Sequence, residues 1–285
     1  TARSFDAVRA SYRQKNYRID AFAASVVNTR EGEFDRRTDG NNLHGIYGAF
    51  NTLVPKAVVE PYAFWRVARG LRSESGTISK LDFKTIGFRL AGKLPANLDY
   101  GAEIAGETGS LGPDDVRAWA GHWVAGYSMP RVPYTPRLVA EYNYASGDAN
   151  PTDGHRQTFD HLYPTPHDKY GLANQVGWKN IHDVRSGIEL KPTKKLSLSA
   201  FYNSWGLAST RDGRYNAVGT LVARVADGSA GRYVGQEADF QTAYAVSTQI
   251  QLGGGYAHIF PGTFLQHATP GKRYRFSYLM VTYLF

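Results

Sequence analysis

Apolar and polar side chains alternate with a period of two along almost the whole chain, and this leaves few folds open. In residues 17–27, Tyr17, Ile19, Ala21 and Ala23 alternate with Arg18, Asp20, Phe22 and Ala24. In residues 97–107, Leu98, Tyr100, Ala102 and Ile104 alternate with Asp99, Gly101, Glu103 and Glu107. Successive side chains of a strand point to opposite faces, so such segments are strands with one apolar and one polar face. No segment combines i, i+3, i+4, i+7 apolar spacing with helix caps. The fold class is therefore all-β, with no helix expected.

Thirteen strands are expected, near 4–13, 17–30, 43–53, 57–69, 80–93, 97–107, 115–128, 135–147, 181–191, 195–208, 233–246, 248–261 and 273–285. Tight turns at 14–16, 54–56, 94–96, 191–194 and 245–247 alternate with polar links at 31–42, 70–79, 108–114, 148–180, 209–232 and 262–272. Short turns on one side and long loops on the other mark an antiparallel transmembrane β-barrel. Strands of about ten residues cross a bilayer at a tilt, whereas no run approaches the roughly 18 apolar residues of a membrane helix. Cysteine is absent, which excludes a disulfide scaffold, a thiolate zinc site and a Cys nucleophile. The chain opens at Thr1 without Met or signal peptide, as a processed or trimmed chain does.

The last strand, RYRFSYLMVTYLF, puts Leu279, Val281, Tyr283 and Phe285 on one face and ends on an aromatic residue. This pattern resembles the signal read by the outer-membrane barrel assembly machinery, which is thus an expected partner. Segments spread along the chain resemble the alginate export family of Gram-negative outer-membrane porins. They are TARSFDAVRASYR (1–13), AEYNYASGD (140–148), TFDHLYPTPHDKYG (158–171), VGWKNIHDVRSGIELKP (176–192), VGQEADFQTAY (234–244), GYAHIFPGTFL (255–265) and the final YLMVTYLF.

The resemblance implies an outer-membrane barrel of about 18 antiparallel strands that passes anionic polysaccharide, alginate being the founding substrate. Residues 1–285 then read as one transmembrane domain. A closed single-chain barrel has an even strand number, so thirteen strands imply further N-terminal strands, missing, removed or supplied by a separate chain. The founding exporter gates its pore with a long periplasmic loop near the C-terminus. Here the matching link, Ala245-Val246-Ser247, is a tight turn, which favours an open diffusion channel.

With the apolar face toward lipid, the other face lines a pore. An arginine facing lipid costs about 2–4 kcal/mol at the bilayer midplane. That penalty assigns Arg9, Arg13, Arg18, Arg66, Arg89 and Arg185 inward, and Arg117 with them although it shares parity with Trp119 and Trp123. Asp20, Glu60, Glu103, Glu141, Asp183, Glu189, Glu237 and Asp239 also face inward. Arginine meets carboxylates through a planar fork that keeps its proton, which suits passing contacts with uronate units. The candidate solute-binding set is Arg9, Arg13, Arg18, Arg66, Arg89, Arg117 and Arg185, with Glu103, Glu141, Glu237 and Asp239 holding the arginines extended.

The expected partners are an anionic carbohydrate or small anionic solute and the outer-membrane lipid, with no nucleic acid. The net charge of +8 includes loop lysines, and the Lys191–Lys195 turn reads as solvated. Outward Tyr12, Tyr17, Trp65, Tyr100, Tyr142, Tyr144 and Tyr283 read as membrane-interface girdles. Inward Tyr62 and Phe201 read as structural before they read as sugar platforms. The longest loop, 148–180, reads as a constriction folded over the mouth. Its Asp148, Asp153, His155, Asp160, His161, His167 and Asp168 match no defined metal spacing, so neither metal nor cofactor is expected. His44, His122, His182 and His258 are scattered and no GxSxG elbow occurs, so no enzyme is expected. The alternative to a channel is a structural or adhesion barrel with a plugged lumen and partner-binding loops.

Overall fold

Alternating strands bury their two faces differently only if neighbouring strands keep register, and here they do. The computed structural model describes residues 3–28, 31–165 and 169–284. Its strands are β1 (Phe5–Arg13), β2 (Tyr17–Asn28), β3 (Arg36–Phe50), β4 (Ala57–Arg72), β5 (Ile78–Leu94), β6 (Leu98–Leu111), β7 (Asp114–Ser128) and β8 (Arg137–Ala145). There follow β9 (His155–Arg156), β10 (Ile181–Leu190), β11 (Leu196–Gly206), β12 (Gly213–Tyr215), β13 (Leu221–Arg224), β14 (Tyr233–Ala245), β15 (Ile250–Pro261) and β16 (Tyr274–Tyr283).

Thirteen of them form one antiparallel sheet in chain order, β1 through β8, then β10, β11, β14, β15 and β16. These are the thirteen strands expected. The short β9 lies parallel to the start of β7, and β12 pairs with β13 in a separate hairpin. Among the described residues β1 and β16 each have a neighbour on one side only.

Three details depart from the expected layout. Strand β3 starts at Arg36, inside the expected link 31–42, because Arg36 and Arg37 continue the ladder to Asn28 and Val27 past a bulge. The link expected at 108–114 is a tight turn, since β6 runs to Leu111 and Gly112 takes a φ of +58°. A helix also occurs, α1 (Thr263–Ala268), six residues long, which buries Phe264 and is too short for an amphipathic span. The terminal Phe285, and His167 and Asp168 of the long loop, lie outside the described residues.

The two faces of the sheet are chemically distinct. One presents Val8, Ile46, Ile86, Phe88, Ile104, Leu138, Val184, Phe240, Leu252, Leu279 and Val281, all exposed, as the lipid side of a barrel requires. The girdle residues share this face; Tyr12, Trp65, Tyr142 and Tyr283 are exposed on it. The other face carries the charged side chains, but toward the long-loop end it also carries Ala105, Ala118, Ala120 and Ala145, all buried.

What buries those alanines is chain from the long loops. Phe159, Leu172, Ala173 and Val176 of loop 146–180 join Leu207 and Ala230 of loop 207–232 and Phe264 of α1 in one apolar cluster with Trp205, Val234 and Ile259 of the wall. The small wall side chains leave room for this packing, and Phe159 meets Trp178 edge-on at 5.3 Å. The concave side of the sheet is thus partly filled by a core of its own.

Candidate permeation pathway

Register decides which charges meet across the inner face. Arg13 lies opposite Arg18, Ser11 opposite Asp20, Glu60 opposite Arg89 and Arg89 opposite Glu103. Arg185 lies between Glu141 and Asn203, and Asn203 between Arg185 and Glu237. The inner charges thereby fall into separate groups around the wall, not into one ring.

On β1 and β2, Asp20 accepts from Ser11 at 2.6 Å and pairs with Arg18 at 2.9 Å and Arg9 at 3.3 Å. On β4 to β6, Arg89 pairs with Glu60, and the Tyr62 hydroxyl donates to Glu103 at 2.7 Å. On β8 to β14, Arg185 pairs with Glu141 at 2.9 Å while its guanidinium lies 3.6 Å over the Phe201 ring. There Asn143 donates to Glu141 and Asp183 at 2.9 and 3.0 Å, and Asn203 donates to Asp239 at 3.1 Å.

Within these pairs the two partners are not equally wet. Arg9 and Arg18 are 58% and 38% exposed against 9% for Asp20. Arg89 is 46% exposed against 14% for Glu60, and Arg185 17% against 6% for Glu141. A short carboxylate sits at the wall, whereas a guanidinium on its long stem reaches into the water.

Three of the inner carboxylates, Glu107, Glu237 and Asp239, are turned to another task, docking the long loop. The backbone N–H of Ala173 donates to Glu237 at 3.0 Å, that of Leu172 to Asp239 at 3.4 Å, and that of Asp160 to Glu107 at 2.9 Å. Gly171 permits the first two contacts. Its φ is +99°, and a Cβ there would lie 2.7 Å from the Glu237 carboxylate. At the far end Asp160 meets Arg66 at 2.7 Å, Arg66 lies 5.0 Å over the Tyr163 ring, and Tyr163 meets Phe5 edge-on at 5.1 Å. The loop therefore crosses the inner face from β14 to β1.

The buried loop charges hold one another in place. Burial pushes the Asp160 carboxyl up, but Lys179 and Arg66 outweigh it and hold the group below its ordinary value. Burial drives the His161 imidazole down to about 3, with Lys179 adding to the effect, so it is neutral at physiological pH. A cavity of about 250 Å³ remains between loop and wall, lined by Glu103, His122, Lys169, Tyr170 and Trp178 among others.

Of the expected solute-binding residues, the register puts Arg9, Arg13, Arg18, Arg66, Arg89, Arg185, Glu103, Glu141, Glu237 and Asp239 on the inner face. Arg66, Glu237 and Asp239 are occupied by the loop. Arg117 is on the other face: it lies opposite Thr108, is 75% exposed and pairs with Asp115 at 2.7 Å. It sits near the start of β7, at the long-loop side, where the cost of a lipid-side arginine falls to about 0–1 kcal/mol.

Arg137 was not among the candidates, although it forks onto Asp99 at 2.6 and 3.0 Å and reaches Glu189 at 2.9 Å near the short-turn end. Its parity with Glu141 on β8 was the available signal. Among the described residues no group of three or more His, Asp or Glu is gathered as a metal would require.

A long-stranded antiparallel sheet with an apolar outer face, a charged inner face and a loop folded onto that inner face defines an outer-membrane β-barrel transport protein. A family model described as alginate export matches residues 1–278. The chain belongs to the alginate export family and to the outer membrane of a Gram-negative bacterium. Among solved structures it is similar to one titled "NanC porin structure in rhombohedral crystal form", at 10% identity and a TM-score of 0.39, covering 99% of this chain and 100% of that one. No curated protein sequence matches it.

Proposed function

We propose that this protein is a channel for anionic solutes, acidic oligo- and polysaccharides such as alginate among them, moving through a lumen whose accessible charge is arginine. The observation that carries this reading is the difference in exposure within the ion pairs, since Arg9, Arg18, Arg89 and Arg185 are each wetter than the carboxylate they contact. At these four arginines a solute in the water meets a guanidinium first, and each can take a carboxylate in its fork, whereas at the short-turn rim Glu189 is wetter than its partner Arg137. The recessed acids weaken every single contact, and conduction needs binding that is strong enough to enter and weak enough to leave. Nothing covalent is required of the wall.

The test is single-channel recording in planar bilayers under a salt gradient. The reading expects a reversal potential of anion preference that collapses in the Arg9→Ala, Arg18→Ala, Arg89→Ala triple variant, and block by uronate oligomers. Cation preference, or unchanged selectivity in the triple variant, overturns it.

The apolar cluster on the inner face favours a second reading, a barrel plugged by its loops that acts through its surface. Liposome swelling separates the two, because a plugged barrel admits neither neutral nor acidic sugars.

A further inference from the structure

The outer face of β5 and β7 carries charge that the pathway does not use. On β5, Lys80, Asp82 and Lys84 point outward between the buried Leu81, Phe83 and Thr85. On β7, Asp115, Arg117 and Trp119 point outward between Val116, Ala118 and Ala120, which are buried. The register joins them into a row, Trp65 beside Lys84, Lys84 beside Thr108 and Thr108 beside Arg117. Lys84 and Arg117 are two strand spacings apart, about 10 Å.

One step toward the long-loop end the row reads Asp82, Ser110, Asp115. One step the other way it is apolar, with Ile86 and Trp119 exposed. The cations therefore stand where the lipid-facing band begins, at headgroup level on the long-loop side, which in such barrels is the outer leaflet.

The charges in the patch do not cancel. Lys80 engages Asp82 at 2.6 Å and Arg117 engages Asp115 at 2.7 Å. Trp65 Nε1 also donates to Asp82 at 2.7 Å. Lys84 is exposed and makes no ion pair or hydrogen bond among the described residues. Three cations face two carboxylates, with the hydroxyls of Thr108 and Ser110 between them.

We propose that Lys84 and Arg117 bind the phosphate of a phosphorylated glycolipid of the lipid A type in the outer leaflet. Its acyl chains run down over Ile86 and Trp119, and its sugar hydroxyls meet Thr108 and Ser110. A guanidinium and an ammonium about 10 Å apart at the edge of an apolar band match an anionic headgroup joined to several chains. This assignment is independent of the ion preference of the lumen.

The test uses purified, delipidated protein in detergent and measures binding of fluorescent lipid A with its phosphates or with them enzymatically removed. Wild type is expected to prefer the phosphorylated lipid. Each cation removed costs about fivefold at an anionic lipid surface, so the Lys84→Gln, Arg117→Gln variant is expected to lose about 30-fold. A Lys191→Gln, Lys194→Gln variant at the opposite rim keeps full binding. Heat-modifiable gel mobility reports folding, and if the first variant misfolds, the comparison of the two lipids on wild type decides. Equal binding of both lipids, or undiminished binding by the folded double variant, overturns the assignment.

Discussion

The Asp160 carboxylate lies 2.7 Å from the Arg66 guanidinium, although 94 residues separate the two along the chain. Around that contact Asp160 also gives its backbone N–H to Glu107, and the buried Lys179 adds a second cation. Breaking a fully buried pair costs about 3–5 kcal/mol, and with these side chains 14% and 19% exposed the cost here is a part of that. In Asp160→Ala the loop is therefore expected to leave the wall, with trypsin cleaving within 146–180 and single-channel conductance rising. Unchanged protection and conductance would show that other contacts set the docking.

Glu237 offers a narrower test. It is fully buried and accepts the Ala173 N–H at 3.0 Å. Glu237→Gln keeps an acceptor in place, whereas Glu237→Leu leaves a buried amide unsatisfied at a cost of about 1–3 kcal/mol. Hydrogen exchange at Ala173 is expected to accelerate in the Leu variant and to stay near wild type in the Gln variant.

Selectivity should respond to the recessed acids as well as to the arginines. In Glu60→Gln, Arg89 loses its counter-charge while its position on β5 is kept. The anion-to-cation permeability ratio is expected to rise about fivefold, since one unit charge about 8 Å away in water weighs about 0.5 kcal/mol on each ion with opposite sign. A fall in the ratio would mean that Glu60, not Arg89, faces the permeating ion.

Asp148 makes loop docking depend on pH. Burial, and then the Glu74 carboxylate beside it, raise its carboxyl from 3.8 to about 7. Between about pH 4 and 7 the docked loop keeps a proton that the released loop has lost, so docking weakens as pH rises through this window. His161 acts in the opposite sense below about pH 6.5, since its folded form stays neutral while the released one is charged. The readout is thus the difference between wild type and Asp148→Asn: the variant is expected to gain protease resistance at pH 8 and to match wild type at pH 4.

The strands were legible because a residue at one face of a sheet has only two possible environments. Parity alone placed Arg9, Arg89 and Arg185 on the charged side, and the register puts them there. Parity failed at Arg117, because β7 carries apolar residues on both faces, Val116 and Ala118 on one and Trp119 and Trp123 on the other. The midplane cost does not hold for a residue that sits at the interface. The loop's path was not legible. Three of its anchors are backbone amides meeting Glu107, Glu237 and Asp239, which leave no mark on the sequence, and the Asp160–Arg66 pair joins residues 94 apart. Only Gly171 hints at the contact, and only once its φ of +99° is known.

The alanines at 105, 118, 120 and 145 make room for the loop, and through it they set the bore. In an unobstructed barrel, aperture follows strand number, and changing it means rebuilding the sheet. Here the outer half of the passage is narrowed by one crossing segment seated on small side chains. Its width can therefore drift from relative to relative through loop sequence alone, with every strand left as it is.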